Sequence, residues 1–170
     1  MIARLLSPLF ALALLVAASS PPTVHAADFP PVFRALEGEW RAEGEAFGAS
    51  AKSSMIWAPT LDGEFYRIAY RIEMTRATGI EVFEGVGYYQ ALTPESARGF
   101  WVDNSGDLHP LTVKIEPNAV TTHWGTPGDK QGRTVYRVIA GGSVEVTDWL
   151  LAAEGWRQFN KAVFRRAGAN

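Results

Sequence analysis

The sequence predicts an all-β fold, an antiparallel barrel of about ten strands. Three observations carry that prediction. Polar and apolar side chains alternate with period two from Glu39 almost to the end of the chain. Turn-forming pairs such as Asp62-Gly63, Thr78-Gly79, Pro117-Asn118 and Gly141-Gly142 punctuate the alternation. No stretch between them is long enough for the crossover helix that a parallel strand pair needs, so sequential strands pair as antiparallel neighbours. Such a meander protects its edges by closing into a barrel or by packing as two sheets. The barrel is the reading followed here.

The elements follow in order. Residues 27–35 read as an extended leader, because Pro30 and Pro31 disfavour a regular helix, with one short helical turn at Val32–Leu36. Residues 36–166 carry the β domain. Glu39–Ala46 sets Trp40, Ala42, Gly44 and Ala46 on one face against Glu39, Arg41, Glu43 and Glu45 on the other. Ala51–Ala58 points Ser53, Met55 and Trp57 inward. Leu61-Asp62-Gly63 then signals a hairpin. Phe65–Met74 places Tyr66, Ile68, Tyr70, Ile72 and Met74 on one face. Ile80–Ala91 carries Gly85 and Gly87 two apart, where the sheet bends or something approaches the backbone. Shorter strands are expected at Gly99–Asp103, Leu111–Glu116, Val120–Gly125, Arg133–Ala140 and Val144–Leu151. The last, Trp156–Arg165, sets Trp156, Gln158, Asn160, Ala162 and Phe164 on one face.

The chain has 170 residues and opens on a different pattern. Arg4 is followed by an apolar run from Leu5 to Ala18, a turn-prone Ser19-Ser20-Pro21-Pro22, and Val24-His25-Ala26. That order is the order of a cleaved signal peptide, residues 1–26. The apolar run, roughly 14 residues, is short of the ~20 needed to span a bilayer. The expectation is therefore a periplasmic or secreted protein with no stable membrane anchor after cleavage. There is no cysteine, so neither disulfides nor a cysteine-linked lipid are expected. With 16 basic and 18 acidic residues and no basic cluster beyond Arg165-Arg166, nucleic acid is not an expected partner.

Leu36-Glu37-Gly38-Glu39-Trp40, just after the short turn, resembles the Gly-x-Trp opening of lipocalins and their calycin relatives. The resemblance implies a tryptophan plugging one barrel end, with a basic residue near the chain end packed on it: Arg165 or Arg166. A cation over an indole is favourable by ~0.5–2 kcal/mol. Phe83-Glu84-Gly85-Val86-Gly87-Tyr88-Tyr89 and Gly99-Phe100-Trp101-Val102-Asp103-Asn104-Ser105-Gly106 look like a bacterial lipocalin-like family of unknown function, which pairs a Gly-Tyr strand with a Trp-x-Asp-x-x-Gly hairpin. The likeness runs from Leu36 to Phe164. It implies a calycin-type barrel and no particular activity. A related branch binds haem through a late histidine. This sequence departs from it, since its last histidine is His123, and no cofactor is expected.

The candidate ligand-binding residues are Trp57, Tyr66, Tyr70, Trp124, Gln158 and Asn160, with Ser53 and Asp148 on the same expected face. Aromatic rings give a ligand contact area, and a few polar groups orient it. The same residues would also suit a filled core in which the amides bond tyrosine hydroxyls. The expected partner is thus a small, partly apolar or aromatic molecule. Alternatives are hydrolase- or isomerase-like acid–base chemistry at the barrel mouth, through Asp103, Asp107 or His109, and a partner-binding protein with a filled barrel. No catalytic residue is assigned: Gly-x-Ser-x-Gly is absent, and Gly85-Val86-Gly87 lies in a strand. No metal site is assigned either. His109 and His123 fall on neighbouring strands, but without ligand spacing, and His109 beside Pro110 is expected to be exposed.

Overall fold

The computed structural model describes residues 29–168; the expected signal segment, 1–26, lies outside them. One short helix, α1 (Pro31–Leu36), precedes ten strands: β1 (Gly38–Ala46), β2 (Ala49–Thr60), β3 (Phe65–Arg76), β4 (Gly79–Thr93), β5 (Ser96–Asp103), β6 (Leu108–Glu116), β7 (Ala119–Gly125), β8 (Gln131–Ile139), β9 (Ser143–Ala152) and β10 (Gly155–Arg166). Each strand pairs antiparallel with the next, and β1 pairs with β10 to close the barrel. The seam joins Trp40 to Arg166, Arg41 to Arg165 and Ala46 to Asn160. Closure leaves no sheet edge, which a ten-stranded meander would otherwise expose.

Alternation builds the interior directly. β3 shows it best: Tyr66, Ile68, Tyr70, Ile72 and Met74 are all buried, and the residues between them are not. Outward residues pair along and across strands, as Arg71 does with Glu73 on its own strand and with Glu84 on β4. The β2–β3 connection keeps Leu61, Asp62 and Gly63 at φ +52°, +55° and +87°, the left-handed conformation that tight hairpins demand.

One end of the barrel is filled. Pro31 begins α1, where its missing N–H costs nothing. The helix then points Val32, Phe33 and Leu36 inward. Phe33 lies 5.1 Å from the Tyr66 ring and 6.0 Å from those of Trp57 and Tyr89. Burying such a side chain contributes about 1.5–3 kcal/mol. Tyr66 also donates a hydrogen bond to Glu37 just beyond the helix. Trp40 seals the same end: its Nε1 donates to the Leu36 carbonyl at 2.7 Å, and the Arg166 guanidinium sits 4.4 Å from its ring. Of the two arginines expected to serve as the cap, Arg166 takes the part.

β10 corrects one expectation. The register slips between Gln158 and Asn160, so two residues oppose one at Phe159. A bulge of this kind inverts the facing of everything before it. Asn160, Ala162 and Phe164 keep the inward face assigned to them, whereas Trp156 and Gln158, both ahead of the slip, are exposed. Trp156 there meets His123, at 6.1 Å between rings, and the Arg133 guanidinium, at 5.1 Å.

Candidate functional site

The other end of the barrel is open. Between it and the aromatic plug lies a cavity of about 640 Å³. The interior is thus a filled core at one end and an open lumen at the other. That volume falls within the range of sites for small organic molecules, about 300–1,000 Å³.

Two tryptophans line the lumen without filling it, and glycines are the reason. Trp101 pairs across the β4–β5 ladder with Gly87. Its indole lies flat over Gly85, where a Cβ would come within 2.0 Å of ring atom Cζ2. Trp124 pairs with Gly132 on β8, and a Cβ there would come within 1.8 Å of its own Cζ2. Each ring occupies the space of a missing side chain on the neighbouring strand. The Gly-x-Gly and Trp-x-Asp stretches noted in the sequence are two halves of this arrangement. Asp103 completes it by accepting a hydrogen bond from Trp101 Nε1 at 3.0 Å while also accepting from the Ser105 backbone N–H. The Phe83 ring stacks 6.4 Å from Trp101.

The cavity floor is polar. Asp148 on β9 accepts from Thr134 Oγ1 at 2.6 Å and from Asn160 Nδ2 at 2.7 Å. Burial pushes its carboxyl above the ordinary range, against the opposing pull of those two donors. Asn160 Oδ1 and the Tyr70 hydroxyl are buried without a hydrogen-bond partner, although Asn160 and Ser53 face Tyr70 closely. Burial also raises the Tyr70 hydroxyl far above its usual value, and the Asp148 carboxyl adds to the effect. Tyr136 is raised well above its usual value for the same first reason, and Tyr89 is pushed up to about 12. The phenols therefore stay neutral at any working pH. Asn160 Oδ1 and Tyr70 Oη are both sealed beneath the cavity surface, with almost no accessible area of their own.

Asp148 makes stability pH-dependent in a defined direction. Its folded carboxyl binds a proton more tightly than the unfolded one, whose ordinary value is 3.8. The folded state is therefore favoured below that value and loses stability as pH rises to the raised folded one. Asp148→Asn abolishes this loss, because Asn160 can turn its unpartnered Oδ1 toward the new amide. The variant is expected to melt higher than wild type at about pH 8, with the difference shrinking toward about pH 4. Melting curves at the two pH values check this.

At the mouth, His109 is 9 % exposed and lies 5.2 Å from the Trp124 ring. This corrects its expected exposure: strand β6 begins at Leu108, ahead of the proline, and its alternation turns His109 inward. Asp107 bridges outward, with Oδ2 3.5 Å from His109 Nε2 and 3.0 Å from Lys130 Nζ. Lys130 accordingly holds the Asp107 carboxyl below its ordinary value. His123 pairs with Thr112 on the outer face, so the two histidines do not approach each other. Burial, and then Arg133, lower the His123 pKa. Among the described residues no group of three metal-ligating side chains occurs.

Of the candidate ligand residues, Tyr70, Trp124 and Asn160 line the cavity, and Gln158, exposed ahead of the bulge, reaches only its rim. Trp57 and Tyr66 lie deeper, packed on Phe33 beneath the floor. The alternation reading passed over Trp101, Phe83 and Phe159 as lining residues; the glycine pair facing Trp101 was the available signal.

No protein-family model matches the chain, and no curated protein does. The closed ten-stranded antiparallel barrel is compatible with the lipocalin-like fold that the Gly38-Glu39-Trp40 opening suggests.

Proposed function

We propose that this barrel is a binding protein of lipocalin-like type. It takes a small, partly aromatic or aliphatic molecule through its open end. The observation that carries the reading is the lumen itself. About 640 Å³ is left unfilled by side chains, between the Trp101 and Trp124 indoles and a polar floor at Asp148. A chain selected only for stability would fill that space, since voids cost packing energy. The mouth residues favour binding over acid–base chemistry: Asp103 already serves Trp101 and Ser105, and Asp107 is held by Lys130.

The test is a fluorescence titration with N-phenyl-1-naphthylamine, a dye whose aryl nitrogen stays uncharged and which brightens in apolar surroundings. Wild type is expected to bind it at micromolar concentration, roughly −8 kcal/mol. Leu150→Trp, at the lumen rim, should weaken binding at least about tenfold, or 1.4 kcal/mol, without loss of folding. No enhancement with wild type, or equal enhancement in both proteins, contradicts the reading.

A further inference from the structure

The floor of the cavity says what kind of head group it takes. We propose that the ligand is an organic amine whose ammonium group sits against the Asp148 carboxylate, with an aryl or alkyl body along Trp101 and Trp124. This rests on the binding reading above and specifies it.

Asp148 lines the cavity and takes only neutral donors, Thr134 Oγ1 on one oxygen and Asn160 Nδ2 on the other. Each carboxylate oxygen can accept a further bond, so both keep acceptor capacity for a ligand. An ammonium brings three donors and a full positive charge, which a neutral hydroxyl does not.

Charge points the same way. The ionisable groups facing Asp148 across the floor are the phenols of Tyr70, Tyr89 and Tyr136, none of them cationic. No ion pair joins Asp148 to a cation among the described residues; the cavity's basic groups, Lys130, Arg157 and His109, lie toward the mouth, and Lys130 is bound to Asp107. A carboxylate deep in a protein needs a counter-charge. Burial alone holds the Asp148 carboxyl above its ordinary range, and an arriving ammonium would restore the ionised form. Any proton the carboxyl still carries leaves to solvent as the ion pair forms. The indole faces lining the way add cation–π attraction for the same charge.

The experiment is calorimetry at about pH 7 with three probes of one skeleton: 4-phenylbutylamine, 4-phenylbutan-1-ol and 4-phenylbutanoate. Wild type should bind the amine at least about tenfold more tightly than the alcohol or the acid, as a desolvated charge pair requires. In Asp148→Asn that preference should fall to within about threefold, through loss of amine affinity. Alcohol or acid binding as tight as the amine overturns the proposal, and so does a preference that survives in Asp148→Asn or an amine that does not bind. The wild-type comparison decides the matter by itself if the variant does not fold. The dye titration separates the two levels: dye binding without amine preference defeats only the amine assignment, whereas no dye binding defeats the cavity reading as well.

Discussion

Replacing Trp40 by alanine is expected to destabilise the barrel by about 3–5 kcal/mol, the range for losing a fully buried large aromatic. Trp40 is 1 % exposed, and three separate features converge on it. Its Nε1 holds the last carbonyl of α1, at Leu36. Its ring carries the Arg166 guanidinium, which also donates to the Glu37 carbonyl at 2.7 Å and the Ala35 carbonyl at 3.3 Å. Its strand pairs with β10 at the barrel seam, Trp40 directly opposite Arg166. Truncation leaves a cavity, an unbonded helix end and an arginine with no platform. Urea unfolding measures the loss; a cost below about 1 kcal/mol would contradict the role assigned to Trp40. The two terminal arginines offer an internal comparison. Arg166→Met should cost about 1–2 kcal/mol, through the lost cation–π contact and the two carbonyl bonds. Arg165→Met, on the exposed face, should stay within about 0.5 kcal/mol.

Gly85→Ala is expected to cost about 1–3 kcal/mol and to close much of the lumen, although it adds a single methyl group. The new Cβ would overlap the Trp101 indole at 2.0, 2.6 and 2.7 Å. Such distances cannot be met by small adjustments, and the ring must swing away from the wall. Its exit from that pocket breaks the bond to Asp103 and drives the indole into the space a ligand would use. Dye affinity should fall at least about tenfold together with the unfolding midpoint, and the near-ultraviolet circular dichroism of the indole should change. Gly44→Ala is the matched control. No atom lies within 4 Å of a Cβ built there, so it should change stability by no more than about 0.5 kcal/mol. Equal, small effects at both glycines would show that Trp101 is not held as described.

Much of the fold was legible because it depends on local rules. Period-two alternation over Phe65–Met74 identified a strand and its inward set, and the same rule placed Asp148 with Val144 and Val146. The Gly38-Glu39-Trp40 stretch signalled the plugged end. What was not legible depends on register between strands. Phe159 sits in a bulge with no glycine or proline beside it to announce the slip, so Trp156 and Gln158 were assigned the wrong face. His109 looked exposed beside Pro110, because the sequence does not show that β6 already starts at Leu108. Whether the barrel would be full or hollow turned on Trp101 lying opposite Gly87 and Trp124 opposite Gly132. Those pairings join residues on neighbouring strands, and composition carries no trace of them. The polar floor is similar: Tyr70 and Asn160 were identified singly, but their unpartnered state follows only from where β3, β9 and β10 bring them.

The central claim is that the lumen receives a small ligand. A crystal structure of the protein grown with N-phenyl-1-naphthylamine tests it most directly. The account predicts the dye inside the barrel, its rings against Trp101 and Trp124, above Asp148 and Asn160. A lumen closed by inward-turned indoles, or a dye bound only to the outer surface, would contradict it.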